Sequence, residues 1–106
     1  MKFVNLTPHT VNIFLNNGEI LSIEPSGTIA RVSVTRRQID EIDGVPVFTS
    51  EFGHIENLPT PCRDTIFIVS SLVAQRCNGR SDILIPDDSV RDKMGRILGC
   101  RALSRV

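Results

Sequence analysis

Turn signals recur along this chain and cut it into short runs, and that punctuation constrains the fold more than any other feature. Asn16-Asn17-Gly18, Pro25-Ser26-Gly27, Asp43-Gly44 and Met94-Gly95 each place a glycine where a tight turn needs a positive φ. Between them lie short apolar stretches. Lys2 to Leu6 is broken by Thr7-Pro8-His9, because proline lacks a backbone donor and fixes its own φ. Thr10 to Leu15 alternates Val11, Ile13 and Leu15 against Asn12, with Phe14 making the second face apolar as well. Glu19 to Glu24 returns from the first hairpin, with Ile20 and Ile23 expected inward. Thr28 to Thr35 puts Ala30, Val32 and Val34 on one face and Arg31 and Ser33 on the other.

The run from Arg36 to Glu41 reads as a continuation of that strand into the Asp43-Gly44 hairpin and out through Val45 to Phe48, with Pro46 marking an edge. Ser50 to Arg63 contains Gly53, Pro59 and Pro61 and reads as loop, with one short extended stretch near Ile55. Thr65 to Val69 is apolar without alternation, the pattern of a strand buried on both faces. Ser70-Ser71 opens the helix Leu72 to Cys77, which Asn78-Gly79 stops. Asp82 to Ile85 is a strand closed by Pro86, Asp87 to Lys93 a loop or helical turn, and Arg96 to Leu103 the last strand. The series of hairpins predicts a mainly β protein, an antiparallel rolled sheet or small barrel with one short α-helix, in a single domain spanning residues 1–106.

Twelve basic residues balance twelve acidic ones, which removes a global field for nucleic acid or an acidic membrane. With no Trp, no Tyr and five Phe, the chain has few rings for stacking single strands, so nucleic acid is not an expected partner. No apolar run reaches the length of a membrane helix and no signal-like start is present; Cys62, Cys77 and Cys100 lack Cys-x-x-Cys spacing. These features point to a cytoplasmic protein with reduced thiols, no membrane and no metal or other cofactor.

The junction at Ser70 and Ser71, a buried strand running into a helix start, offers free N–H groups and two hydroxyls to an anion, although most such serines are only caps. Arg63 and Arg80 flank it in sequence. It lacks the glycines and lysine of a Walker loop. Thr7 and His9 sit at a strand break where a ring nitrogen can meet a ligand at the sheet rim, a lone turn histidine being more often merely solvated. Arg31 alternates onto the polar face of its strand, and Arg80 stands two residues from Asp82, as a ligand clamp or, equally, a structural ion pair. The stretch from Arg91 to Val106 carries five basic residues, Arg91 first, against Asp92 alone, and is a further place for an anion. Ser70 or Ser71 with His9 and Asp82 can be written as a hydrolase triad, but the Gly-x-Ser-x-Gly elbow is missing.

Val4-Asn5-Leu6-Thr7-Pro8-His9, Pro25-Ser26-Gly27 with Ala30-Arg31, Ile68-Val69-Ser70 leading to Arg80-Ser81-Asp82 and Pro86, and Arg91-Asp92 with Gly95 together resemble a family of small uncharacterised proteins of bacteriophages, prophages and actinobacteria. The opening Asn-Leu-Thr-Pro-His is the most specific part. The resemblance brings no activity but implies a context of counter-defence. In that context the expectation is a homo-oligomeric binder that sequesters a nucleotide-derived immune signal through Thr7, His9, Arg31, Ser70, Ser71, Arg80, Asp82 and Arg91. The alternatives are a protein-binding inhibitor of a host defence complex and a nucleotide-cleaving enzyme with His9 as base.

Overall fold

The computed structural model describes residues 1–77 and 79–106; the Asn78 part of the expected helix stop lies outside the described residues. The strands are β1 (Lys2–Asn5), β2 (Val11–Phe14), β3 (Ile20–Ile23), β4 (Arg31–Ile42), β5 (Val45–Glu56), β6 (Thr65–Ile68), β7 (Ile83–Arg91) and β8 (Ile97–Ser104), with the helix α1 (Ser71–Gln75) between β6 and β7. The architecture is mainly β, as the turn pattern predicts. Six strands form a sheet in the order β1-β6-β7-β8-β2-β3. Its two outer strands meet through a bridge between Asn5 and Pro25, which curls the sheet into a nearly closed barrel. Pairing within it is mixed. The hairpins β2–β3 and β7–β8 are antiparallel, while β1–β6, β6–β7 and β2–β8 are parallel because longer connections bring those strands together.

The apolar run ending at Val69 is central, with Phe67, Ile68 and Val69 all buried. One side packs Leu6, Ala30, Val32, Val73 and Ile83 around Phe67 and Val69. The other packs Val11, Ile13 and Cys100 around Ile68. Ile20 is exposed and only Ile23 of the return strand turns inward, since β3 is an outer strand with four residues to place.

Two stretches read as loop are strand instead. Residues 50–56, where only a short extended stretch near Ile55 is expected, belong throughout to β5, which pairs with β4 from Arg31–Glu56 to Ile42–Val45 and includes Ile55 opposite Val32. Gly53 does not break that ribbon, because the ladder continues on both sides of it and it faces the Ser33 hydroxyl across the pair, where a β-carbon would make that hydroxyl rotate away. β7 likewise runs through Pro86 to Arg91. β6 pairs β7 only as far as Leu84, so the missing N–H of Pro86 faces no ladder on that side and the pairing with β8 continues past it. The expected hairpin at Asp43-Gly44 is present, with φ of 49° and 80°. No helix among the described residues is long and apolar enough to cross a membrane.

Candidate functional site

The end of β6 sets the position of a hollow at one end of the sheet. β1 and β6 run parallel and stop at the same end of the sheet, at Asn5 and Ile68, while β7 continues alone beside β8. The gap they leave is a hollow of about 300 Å³. Thr7, His9 and Thr10 border it from the loop after β1, Ser70 from the start of α1, and Pro86 and Ser89 from β7. Its floor includes Val11, Val69 and Cys100, which are all buried. An apolar floor under a few hydroxyls and a ring is the usual composition of a small-molecule site.

The loop over this hollow is pinned by one side chain. Asn5 is buried to 1% exposure, and its Oδ1 accepts from the Thr7 N–H at 3.0 Å and from Thr7 Oγ1 at 2.7 Å. That local turn leaves the Pro8 and His9 side chains exposed. Ser70 is the N-cap of α1, its Oγ accepting from the Val73 N–H at 3.4 Å. It is exposed at the mouth, and its hydroxyl keeps a donor and a second lone pair for a ligand. Asn12 is oriented by the Ser22 hydroxyl, which donates to its Oδ1 at 2.6 Å.

Thr7, His9 and Ser70, expected from separate segments of the sequence, therefore share one site. The others lie elsewhere. Ser71 is exposed as the first residue of α1 and does not line the hollow. Arg31 is exposed at the base of β4, paired in register with Glu56. Arg91 donates from Nη1 to the Gly95 carbonyl at 2.7 Å and fastens the turn between β7 and β8. Arg80 donates to both carboxylate oxygens of Asp82, at 3.0 and 2.8 Å, and to the Pro59 carbonyl at 2.8 Å. This fork ties the segment after β5 to the start of β7, and the structural alternative weighed for the pair accounts for all three contacts. The bond from Arg80 holds the Asp82 carboxyl below its ordinary range. With Asp82 so committed, the triad written from the sequence does not assemble.

Arg80 and Arg105 border a second hollow of about 260 Å³ with Cys77 and Ile83. Both guanidinium groups are already engaged there, Arg105 donating from Nε to the Ser81 carbonyl at 2.9 Å. Arg96 and Arg101 of the basic tail also have acidic partners. Arg96 pairs with Asp92 at 2.9 Å and Arg101 with Asp88 at 3.7 Å across the β7–β8 hairpin.

Asn5, Ser89, Gly99 and Cys100 were not singled out from the sequence. Asn5 had a signal, a polar residue closing an apolar strand just before a proline turn. Gly99 and Cys100 had none, because their place depends on β8 lying against β2. Comparison with protein-family models, curated proteins and solved structures returned no match.

Proposed function

We propose that this chain is a non-catalytic binder of a small nucleotide-derived molecule, held in the hollow between the Thr7–Thr10 loop and Ser70. The observation that carries the reading is the convergence of Thr7, His9 and Ser70, from segments more than sixty residues apart in number, on one hollow of ligand size. A base or sugar face packs on Pro86 and Ile97, the apolar lining that reaches the surface, over a floor closed by Val11 and Cys100. The Ser70 hydroxyl and the His9 ring at the mouth hydrogen-bond the polar part. Among the described residues, none of those lining the hollow is a lysine or arginine. A ligand with one charge per phosphate, such as a cyclic phosphodiester, therefore suits it better than a triphosphate, whose clustered charge needs cations.

The biological role we attach to this binding is sequestration of a nucleotide immune signal in a phage-type setting, as the resemblance of the Asn5–His9 segment and its companions implies. Self-association belongs to the same proposal, since a second copy would help to cover a mouth that a small domain leaves open.

The test is a thermal-shift screen against cyclic mono- and dinucleotides and ADP-ribose derivatives, followed by heating and chemical assay of what is released. A ligand at a hundredfold excess over Kd adds about 2.7 kcal/mol, which is roughly 10–20 °C for a domain of this size. Intact ligand recovered after denaturation supports sequestration. Altered ligand supports cleavage, and no shift with any probe removes the small-molecule reading.

A further inference from the structure

β4 and β5 form a two-stranded ribbon that leaves the body of the protein. Twelve residues per strand at about 3.4 Å each give it a length of roughly 40 Å. Its base is in the core through Val32 and Ile55. Arg76, the C-cap of α1, then lies over the Phe52 ring at 4.6 Å, and residues 35–51 extend beyond that contact. The radius of gyration, 16.9 Å, exceeds the roughly 13 Å of a compact chain this long, as a projecting arm requires. Ile39, Ile42, Val45 and Phe48 on this arm are 43–61% exposed. A free ribbon with apolar residues is a template for pairing along its β4 edge, where the Glu41 N–H is held only by the exposed Asp40 carboxylate at 2.7 Å, whereas Pro46 takes a donor from the β5 edge.

The charges on β4 indicate what it pairs with. Arg36-Arg37-Gln38-Ile39-Asp40-Glu41 carries two cations and then two anions about a centre between Gln38 and Ile39. Laid antiparallel against a second copy of itself about that centre, Arg36 meets Glu41 and Arg37 meets Asp40, twice by symmetry. The faces agree only because of an irregularity. A register shift between Gln38 and Asp40 inserts one extra residue, so Arg36 pairs with Ser50 and Glu41 with Pro46, both on one face of β5. Arg37 pairs with Thr49 and Asp40 with Val47, both on the other face. Without the extra residue each cation and its opposing anion would point to opposite sides of the ribbon.

We infer that the β4–β5 arm is a homodimerisation element, β4 pairing antiparallel with β4 of a second copy and Arg36 and Arg37 of each facing Glu41 and Asp40 of the other. Within one chain Arg37 reaches Glu51 at 3.3 Å, an exposed pair of small worth that leaves most of its donors for the second copy. This deepens the proposed self-association and is independent of the pocket.

Sedimentation velocity of the full chain tests it. Wild type sediments as a concentration-dependent dimer. The variants R36E/R37E and D40R/E41R, each carrying four like charges on this stretch, weaken self-association roughly tenfold or more while keeping the wild-type circular dichroism. Mixed together, they form a one-to-one heterodimer. A wild type that stays monomeric at every concentration overturns the inference, as do charge-reversed variants that still self-associate like wild type or fail to combine when mixed. Nucleotide-induced thermal shifts of the two variants report on the pocket separately, so loss of the dimer and loss of the ligand reading are distinguishable.

Discussion

Asn5 holds His9 by its backbone and leaves its ring free: the buried Asn5 amide donates to the His9 carbonyl at 2.7 Å. Its other hydrogen goes to the Ile23 carbonyl at 3.0 Å, so one side chain joins β1, the loop and β3 where the barrel closes. The Asn5–His9 segment thus supplies Thr7 and His9 to the wall of the hollow.

Replacing Asn5 by Ala leaves the Ile23 carbonyl and the Thr7 N–H without their side-chain partner, and the His9 carbonyl with Thr7 Oγ1 alone, around a half-buried junction. Loss of stability is expected at about 3 kcal/mol, measured by urea unfolding. Asn5→Asp is at least as damaging, since a carboxylate oxygen would face carbonyl oxygens. Either variant should also abolish ligand-induced thermal shifts at temperatures where it is still folded.

Asp82→Asn separates structure from binding. It weakens the fork with Arg80, and about 2 kcal/mol of stability is expected to go, while affinity for a ligand in the hollow at Ser70 stays unchanged. The pH dependence has a definite sign. Asp82 titrates lower in the folded chain than its ordinary range because Arg80 bonds the ionised form. Its contribution is therefore complete above about pH 4 and is lost as pH falls through the lower folded value. Unfolding measured from neutral to strongly acid pH should show wild type losing an acid-labile component that Asp82→Asn lacks. Asp87 and Asp92 are also shifted down, and they act alike in both proteins.

Much of this was legible and some was not, for physical reasons. Local rules found the turns at Gly18, Gly27 and Gly44, the central run ending at Val69 and the Ser70 cap, because each is set by neighbours in sequence. The extended stretch near Ile55 was legible, but the rest of residues 50–56 and Pro86–Arg91 were not, because glycine and proline punctuate a chain only when pairing does not override them. Gly53 lies opposite Ser33 within a ladder that continues on both sides of it, and Pro86 sits where β6 has already ended. For the site, Thr7, His9 and Ser70 could be chosen by residue type and break position. Whether Arg80 and Arg91 joined them depended on partners, Asp82 and the Gly95 carbonyl, that only the fold brings into bonding geometry.

Gly99 is the place where β8 approaches β2 most closely. A β-carbon there would run into the Asn12 carbonyl and come within 2.8 Å of the Phe14 ring. Gly99→Ala should lower stability by roughly 1–3 kcal/mol by overpacking and weaken ligand binding as well, since Gly99 and Cys100 line the hollow. Gly95→Ala, at a positive-φ turn with open space around it, should lower stability while leaving affinity unchanged.

Ser70→Gly keeps most of the helix cap and removes the hydroxyl, and His9→Ala removes the ring without touching the backbone bond to Asn5. Each is expected to weaken binding about tenfold, the worth of one good hydrogen bond, with an unfolding midpoint close to wild type without ligand. Isothermal titration with whichever nucleotide gives the largest thermal shift reads both numbers.

Amide chemical-shift mapping during titration with that nucleotide tests the central claim most directly. Saturable shifts confined to Thr7, His9, Ser70, Ser89 and Gly99 are the predicted result. Shifts centred on Arg80 and Arg105 instead, or none at any concentration, would contradict it.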